Sequence, residues 1–173
     1  MKCIMDTNVP VKASYPLAEC KEEELEMVGA CIEFIHDLIN NPKSKLVLDM
    51  DWEILGEYKD RVKNTDIGKQ FFKWLYTYIN QMDVINDMVK LERQNNEYVA
   101  FPKDKELEKF DRSDRKFIAL ALTHNEKPPI IQAADGKWLG FTEKLKEYGI
   151  HIKFLDMNYA DSKYGKKIRD KRQ

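Results

Sequence analysis

Short apolar runs alternate with segments of helical periodicity along this chain of 173 residues. The run Lys2–Met5 precedes a segment, 21–39, in which apolar residues recur every three or four positions, and a compact run follows at 45–49. Near the C-terminus, runs at 130–134 and 150–155 flank another helical segment. Strands separated by helices predict a parallel sheet with right-handed crossovers. We therefore expect a three-layer, Rossmann-like α/β domain with about four to five parallel strands flanked by helices.

The middle of the chain is predicted to be mainly helical. Residues 52–62 have helical spacing, and the aromatic-rich segment 63–91 is expected to be helical, with its apolar side in the core. A short strand is predicted at 97–101, a solvated charged turn at 103–109, and a helix from about Ser113. We divide the chain into a domain of residues 1–158 and a basic tail of residues 159–173.

Composition excludes several classes of protein. Hydrophobic residues make up 43% of the chain, the mean hydropathy is -0.62, and no stretch reaches the roughly 18 apolar residues of a spanning helix. Asp6 interrupts the N-terminal apolar run, so we expect no secretory signal, no membrane and a cytoplasmic location. The three cysteines and three histidines show no spacing typical of disulfide frameworks or zinc sites. The net charge of -1 argues neither for nor against a polyanionic partner.

Two of the apolar runs end on an acid, Asp6 after the first strand and Asp135 after the strand 130–134. Ligands of open parallel sheets bind beyond the carboxyl ends of the strands, so neighbouring strands would direct both acids into one crevice. Glu57 and Asp114 could reach that crevice from the helices beside it. Four converging carboxylates repel one another unless a cation lies between them, which predicts Mg²⁺ or Mn²⁺, since hard cations prefer oxygen ligands.

Each acid also has a simpler interpretation. Asp111 with Asp114 three residues later resembles a capping box, Glu57 fits a solvated helix position, and Asp135 before Gly136 fits a turn. These interpretations leave unexplained why two separate apolar strands both end on an acid.

Other phosphate chemistries lack their motifs in this sequence. There is no G-x-x-x-x-G-K-[ST] or G-x-G-x-x-G pattern for a glycine-rich phosphate loop, and no G-x-S-x-G for a serine hydrolase. Asn8 stands where a phosphatase that phosphorylates a strand-end Asp usually carries a second Asp.

Four short acidic motifs follow one another along the chain: "IMDTNV", "ILGEY", "FDRSDRKFIALAL" and "IIQAADGKW". In this order they resemble the acidic motifs of the PIN-domain family of metal-dependent ribonucleases, and the resemblance covers about residues 1–155. It implies a nuclease that acts mostly on RNA, and many relatives are toxins of toxin–antitoxin pairs. RNA, an antitoxin protein and a second copy of the chain are therefore the candidate partners.

The resemblance also implies site residues. Asp6, Glu57, Asp114 and Asp135 match the catalytic, metal-binding acidic quartet. Lys137 stands where many relatives carry a further acid, which counts against a fully occupied second metal.

Around the quartet, Thr7 and Asn8 are expected as donors that hold Asp6 in position. Arg115 and Lys137 are candidates for phosphate contact, with solvated surface charge as the alternative role of both.

Two other functions remain open at this stage. One is a PIN-like scaffold that binds RNA or protein without cutting it, and the other is a divalent-metal phosphatase acting on small molecules. The tail of residues 161–173 has a net charge of +4 and is either a disordered end or an electrostatic arm for RNA.

Overall fold

The computed structural model describes residues 1–133 and 135–170 of the chain, the last five of them by their backbone alone. Over these residues the architecture is mixed α/β, with helices flanking a parallel sheet, and it is compatible with the expected three-layer arrangement. The strands are β1 (Lys2–Met5), β2 (Lys45–Leu46), β3 (Leu48–Asp49), β4 (Met88–Val89), β5 (Arg93–Gln94), β6 (Glu97–Tyr98), β7 (Ile130–Gln132) and β8 (Ile152–Phe154).

The α-helices range from 4 to 16 residues in length. They are α1 (Asn8–Ala13), α2 (Leu25–Asn40), α3 (Glu53–Arg61), α4 (Asp66–Gln81), α5 (Val84–Asp87), α6 (Arg115–Thr123), α7 (Thr142–Glu147) and α8 (Met157–Asp170). Short 3-10 helices occur at Leu17–Glu19, Glu22–Glu24, Lys105–Leu107, Arg112–Asp114 and Gly136–Phe141. Within the described part of the chain, no helix is both long and apolar enough to cross a membrane.

The main sheet has the strand order β2-β1-β7-β8, and all of its pairs are parallel. β1 and β7 are the two central strands, and Ile4 pairs with Ile130 between them. Residues Cys3–Met5 and Ile130–Gln132 are buried, as is typical of parallel strands covered on both faces. The two strands that precede Asp6 and Asp135 are therefore neighbours, which is the condition for a shared crevice, and their carboxyl ends lie at one edge of the sheet.

The predicted strand 45–49 is divided between two neighbours. β2 pairs with β1, whereas β3 pairs in parallel with β4. The amide of Val47 donates to the carbonyl of Cys3 at 2.9 Å, which keeps the segment extended between the two pairings. The segment therefore connects the main sheet to an additional short strand.

The prediction of helix throughout residues 63–91 is wrong beyond α4. Asp83 accepts hydrogen bonds from the amides of Ile85 and Asn86 and so begins a new, short helix, after which β4 is extended. Ile85, which belongs to the apolar side of that predicted helix, is 89% exposed. The long predicted helix is thus interrupted, because Met82 is extended after α4 and Asp83 caps the start of a separate helix.

One side of α4 packs against the core, as expected, while Tyr76 of the same helix is exposed. Phe71 and Leu75 are buried, and the rings of Trp74 and Tyr78 stack with their centroids 5.1 Å apart. The Tyr78 hydroxyl donates to the Leu46 carbonyl at 3.0 Å and accepts from the Leu46 amide at 3.1 Å. This helix is thereby attached to the edge strand β2.

The predicted strand 97–101 forms only at β6, in an antiparallel hairpin with β5. Its two-residue turn has φ of 53° at Asn95 and 63° at Asn96, the left-handed values that a type I′ hairpin turn requires. The charged segment 103–109 contains the 3-10 helix Lys105–Leu107 and is not purely solvated, because Leu107 is completely buried. The charged residues of this segment therefore flank one leucine that packs into the core.

The C-terminal helix α8 includes the predicted domain boundary at residue 158. A Cβ at Gly136 would lie 2.5 Å from the carbonyl oxygen of Ala160, so α8 and the 3-10 helix Gly136–Phe141 approach closely. The alternative of a disordered end, given for residues 161–173, is therefore wrong for residues 161–165, which belong to this helix. Ala134, at the end of the predicted strand 130–134, and residues 171–173 lie outside the described residues.

Candidate functional site

Asp6 lies at the carboxyl end of the central strand β1 and is 1% exposed. Its amide continues the ladder to the carbonyl of Ile131 at 2.9 Å, and its Oδ1 accepts from the amide of Asn8 at 2.8 Å. The pKa of Asp6 is raised to about 7, first by burial and then by the negative charges of Asp114 and Asp135, while the hydrogen bond from the Asn8 amide lowers it. A buried acid at this position is thus within electrostatic range of two others.

Asp114 ends the 3-10 helix that precedes α6. Its Oδ2 accepts a hydrogen bond from the indole Nε1 of Trp138 at 3.1 Å, and its Oδ1 accepts from the Ser113 hydroxyl at 3.3 Å. Burial raises the pKa of Asp114, the indole lowers it, and the charges of Asp111 and Asp135 raise it. The capping residue is Asp111, whose Oδ1 accepts from the amide of Ser113 at 3.0 Å, so Asp114 is not needed as the cap.

Asp135 begins the 3-10 helix Gly136–Phe141, and its Oδ1 accepts from the amide of Lys137 at 3.0 Å. One carboxylate oxygen of Asp135 therefore serves the turn, as the simpler interpretation expects. Asp135 also raises the pKa of both Asp6 and Asp114. The fold thus brings three of the four predicted acids into electrostatic range of one another at the edge where β1 and β7 end.

Glu57 approaches from α3 and has both carboxylate oxygens engaged. Its Oε2 accepts from the Thr7 hydroxyl at 2.7 Å, and its Oε1 accepts from the Lys116 ammonium at 2.6 Å. Its side chain is 32% exposed. A solvated helix position does not describe this residue, because two partners from different elements hold it toward the acid site.

Lys116 is the residue that sequence analysis missed. Its side chain is 4% exposed, and its ammonium donates to the carbonyl of Ser113 as well as to Glu57. This charge lowers the pKa of Asp6 and of Asp114. The signal in the sequence was its position four residues before Leu120, which places a lysine on the buried face of α6.

The predicted donors to Asp6 differ in detail from expectation. Thr7 gives its single hydroxyl proton to Glu57, so it positions that residue instead of Asp6. Asn8 does hold Asp6, through its main-chain amide, while its side-chain oxygen accepts from Arg61 at 3.5 Å. The side chain of Asn8 is therefore not the donor to Asp6.

The predicted phosphate contacts separate into two cases. The Arg115 guanidinium donates to Glu97 at 2.8 Å and to the carbonyls of Glu108 and Phe110, so it fastens the loop before α6 to the hairpin. Neither phosphate contact nor solvated charge describes this side chain, which is 12% exposed. Lys137, in contrast, is 49% exposed and lines a cleft of about 510 Å³ together with Asp114 and Asp135.

Asp49 shows what a strand-end acid does when it is a helix cap. It ends β3, is completely buried, and accepts from the amides of Glu53 and Ile54 at 2.7 and 3.0 Å. Its two oxygens thus satisfy free amides at the start of α3. Asp6 occupies a similar place after a strand but faces other carboxylates.

The donor chemistry of the acid site fits a hard divalent cation, because every candidate ligand atom is a carboxylate oxygen. Over residues 1–133 and 135–170, however, no group of three or more Asp, Glu, His or Cys side chains is arranged to hold a metal ion as it stands. Comparison with protein-family models, curated proteins and solved structures finds no match for this chain. The case for a function therefore depends on the contacts and charges of the acid site.

Proposed function

We propose that this chain is a metal-dependent endoribonuclease that hydrolyses phosphodiester bonds of RNA at Asp6, Asp114 and Asp135. The observation that supports this most is the burial of Asp6 at the end of a central parallel strand, within electrostatic range of two further acids. Such an arrangement is unfavourable without a cation. The resemblance of the four acidic motifs to the PIN-domain family supports the same reaction and a PIN-type fold.

Mg²⁺ or Mn²⁺ would be held by Asp6, Asp114 and Asp135, with Glu57 nearby. When bound, the metal would supply a more acidic water and stabilisation of negative charge on the scissile phosphate. Hydrolysis by water needs no nucleophile from the protein.

Neighbouring main-chain and side-chain groups hold the carboxylates of this site in position. The Asn8 amide and the Trp138 indole each hold one carboxylate oxygen in a fixed direction. Thr7 and Lys116 together hold Glu57. The Lys116 ammonium adds a positive charge inside the acidic cluster, which lessens the repulsion that an approaching phosphate would meet.

The partners of this activity are part of the proposal. RNA is the substrate, an antitoxin and a second copy of the chain are the candidate protein partners, and the cytoplasm is the expected location. The domain of residues 1–158 would carry the acids, while the basic residues after 158 would assist binding.

The test is a cleavage assay on mixed RNA and single-stranded DNA with EDTA, Mg²⁺ or Mn²⁺. We expect cleavage only with metal, and a loss of more than about 100-fold in Asp6→Asn. Asp49→Asn is the matched control, because it alters a buried strand-end acid that lies on a helix cap. It should lower thermal stability yet keep cleavage, whereas equal loss of cleavage in both variants would contradict the proposed site.

A second candidate, an RNA-binding scaffold that does not cut, is favoured by one observation. Glu57 is already neutralised by Lys116 at 2.6 Å, so part of the acidic charge is balanced without metal. Metal-independent RNA binding with no cleavage in any metal would support that function. Turnover of nucleoside monophosphates without polymer cleavage would instead support a small-molecule phosphatase.

A further inference from the structure

An aromatic cleft adjoins the acid site. It has a volume of about 510 Å³ and includes Asp114 and Asp135 among its lining residues. Its size falls within the roughly 300–1,000 Å³ of small-molecule pockets. Any ligand whose phosphate approached these two acids would place its neighbouring group in this space.

The floor of the cleft is built from packed aromatic rings. Phe110 contacts Trp138 edge to face with ring centroids 4.9 Å apart, and it contacts Phe141 in the same way at 5.2 Å. Phe110 and Trp138 are almost fully buried, whereas Phe141 is half-buried and has ring surface available to a ligand. Phe141 is therefore the ring of this floor that is both packed on Phe110 and partly open at the cleft.

The opposite wall comes from α8. A Cβ at Gly140 would lie 2.9 Å from the Tyr164 hydroxyl oxygen and 3.2 Å from its Cε2, so the tyrosine ring packs directly over the backbone of this residue. Tyr164 is half-buried and also lines the cleft. The absence of a side chain at Gly140 thus lets Tyr164 close the wall.

The rim carries charges suited to a nucleotide. Lys109 and Lys137 are exposed at the cleft, and the Lys137 ammonium lies 3.9 Å from a carboxylate oxygen of Asp111. The acids lie at the adjoining side. Aromatic walls between cationic groups are the arrangement that binds single-stranded nucleic acid, through base stacking and backbone attraction.

We infer that this cleft binds the base of an unpaired nucleotide whose phosphate lies at the acid site. The inference rests on the proposed function. A paired base is stacked inside the duplex and would have to be extruded before entering the cleft. Stacking on Phe141 and Tyr164 accepts any base, so the selection is for unpaired nucleotides and not for a particular sequence.

Binding is measured first without cleavage, using the full chain in EDTA. The probes are adenosine and uridine monophosphates, ribose 5-phosphate and inorganic phosphate. We expect the nucleotides to bind more tightly than ribose 5-phosphate, and Phe141→Leu or Tyr164→Leu to remove roughly 5- to 150-fold of that preference. Tyr76→Leu, which removes an exposed ring of α4 stacked on Phe72, is the matched control and should change nothing.

Cleavage is then compared on a single-stranded RNA, its duplex, and a strand with one abasic nucleotide. Faster cleavage of the single strand, and a loss at the abasic position that Tyr164→Leu does not increase, support the inference. Equal cleavage of single strand and duplex, with no abasic effect, would overturn it while leaving the nuclease proposal intact. Base-dependent nucleotide binding without any cleavage would support the base-binding cleft and contradict the nuclease proposal. Equal binding of nucleotides and ribose 5-phosphate also overturns the inference.

Folding of each variant is checked by circular dichroism, and Phe141→Leu and Tyr164→Leu are made separately because they lie on different elements. Loss of base preference in both folded variants supports the cleft. Retention of the full preference in either folded variant counts against it.

Discussion

The ammonium of Lys116 lies 2.6 Å from the carboxylate of Glu57, with the lysine side chain 4% exposed. This pair joins α6 to α3 beside three further acids. The protein thus contains a fixed cation within a group of carboxylates, and that cation sets how much negative charge remains for a metal to neutralise. The predictions below separate the charges that stabilise the fold from those that serve chemistry.

Asp6→Asn should raise the metal-free stability above pH 7. The folded-state pKa of Asp6 is about 7, above the 3.9 of unfolded aspartate, so the folded protein binds more protons between these values. Wild-type stability therefore falls as pH rises from about 4 to about 7, and the variant lacks this fall. At pH 8 we expect a gain of up to about 4 kcal/mol, measured by urea denaturation.

The control for this measurement is Asp49→Asn, which should lose stability because an asparagine has one acceptor oxygen where Asp49 serves two amides. A loss of stability in Asp6→Asn at pH 8 would identify Asp6 as a structural residue.

Mn²⁺ should raise the melting temperature of the wild type in a concentration-dependent way. At about 100 times the dissociation constant, the gain is roughly 5–10 °C for a chain of this size. Asp114→Ala should lose most of this gain, because it removes a proposed ligand. Asp111→Ala removes the neighbouring cap at Ser113 and should keep the gain while lowering the metal-free melting temperature.

Trp138→Phe isolates the hydrogen bond to Asp114. The variant keeps an aromatic ring against Phe110 but loses the indole N–H, which lowers the pKa of Asp114 in the wild type. The pKa of Asp114 should therefore rise, and Mn²⁺ affinity should fall about 10- to 100-fold, as measured by calorimetry. Unchanged affinity in a folded variant would show that the indole does not position this acid.

Lys116→Met should destabilise the protein by about 1–3 kcal/mol, because Glu57 would lose its cation partner in a partly buried place. Lys116→Met combined with Glu57→Gln should recover most of that loss, since neither charge then lacks its partner. Thermal denaturation of the four proteins in the cycle gives the coupling. Lys12→Met, which breaks a similar 2.9 Å pair with Glu24 away from the acids, should cost less than about 1 kcal/mol.

Deleting residues 166–173 should flatten the salt dependence of RNA binding. This segment carries five cations and one acid, and if it makes about four phosphate contacts the log–log slope should fall by about two to three units. The deletion begins after Gly165 to spare Tyr164, which packs on Gly140, and Lys163, which pairs with Glu23 at 3.1 Å. An unchanged slope would show that the segment does not contact RNA.

Much of the sheet edge could be predicted because local patterns specify it. Lys2–Met5 is an apolar strand in both the sequence and the structure, and the helix after Ser113 follows from its periodicity. The pairing of Met88–Val89 with Leu48–Asp49 could not be foreseen, because two short apolar runs pair through a contact between distant parts of the chain. The spacing of residues along a short segment does not indicate which distant strand that segment pairs with.

The acid site shows the same division. The positions of Asp6 and Asp135 after strands allowed both to be predicted as site residues. Asp49 has a similar position, but both of its carboxylate oxygens accept hydrogen bonds from amides at the start of a helix. Lys116 was missed because charged residues are usually assigned to solvent, and only the face of α6 on which it lies indicates burial. What an acid does here depends on the partners that the fold brings to it.

The indole of Trp138 gives the acid site its own optical reporter. Its N–H donates to Asp114, and its ring packs against Phe110 in the cleft floor. The other two tryptophans of the chain, Trp52 and Trp74, lie on α3's N-terminal side and on α4. With both replaced by phenylalanine, the remaining emission would come from one fluorophore that senses the ionisation of a carboxylate, so cation binding could be followed in real time without any added dye.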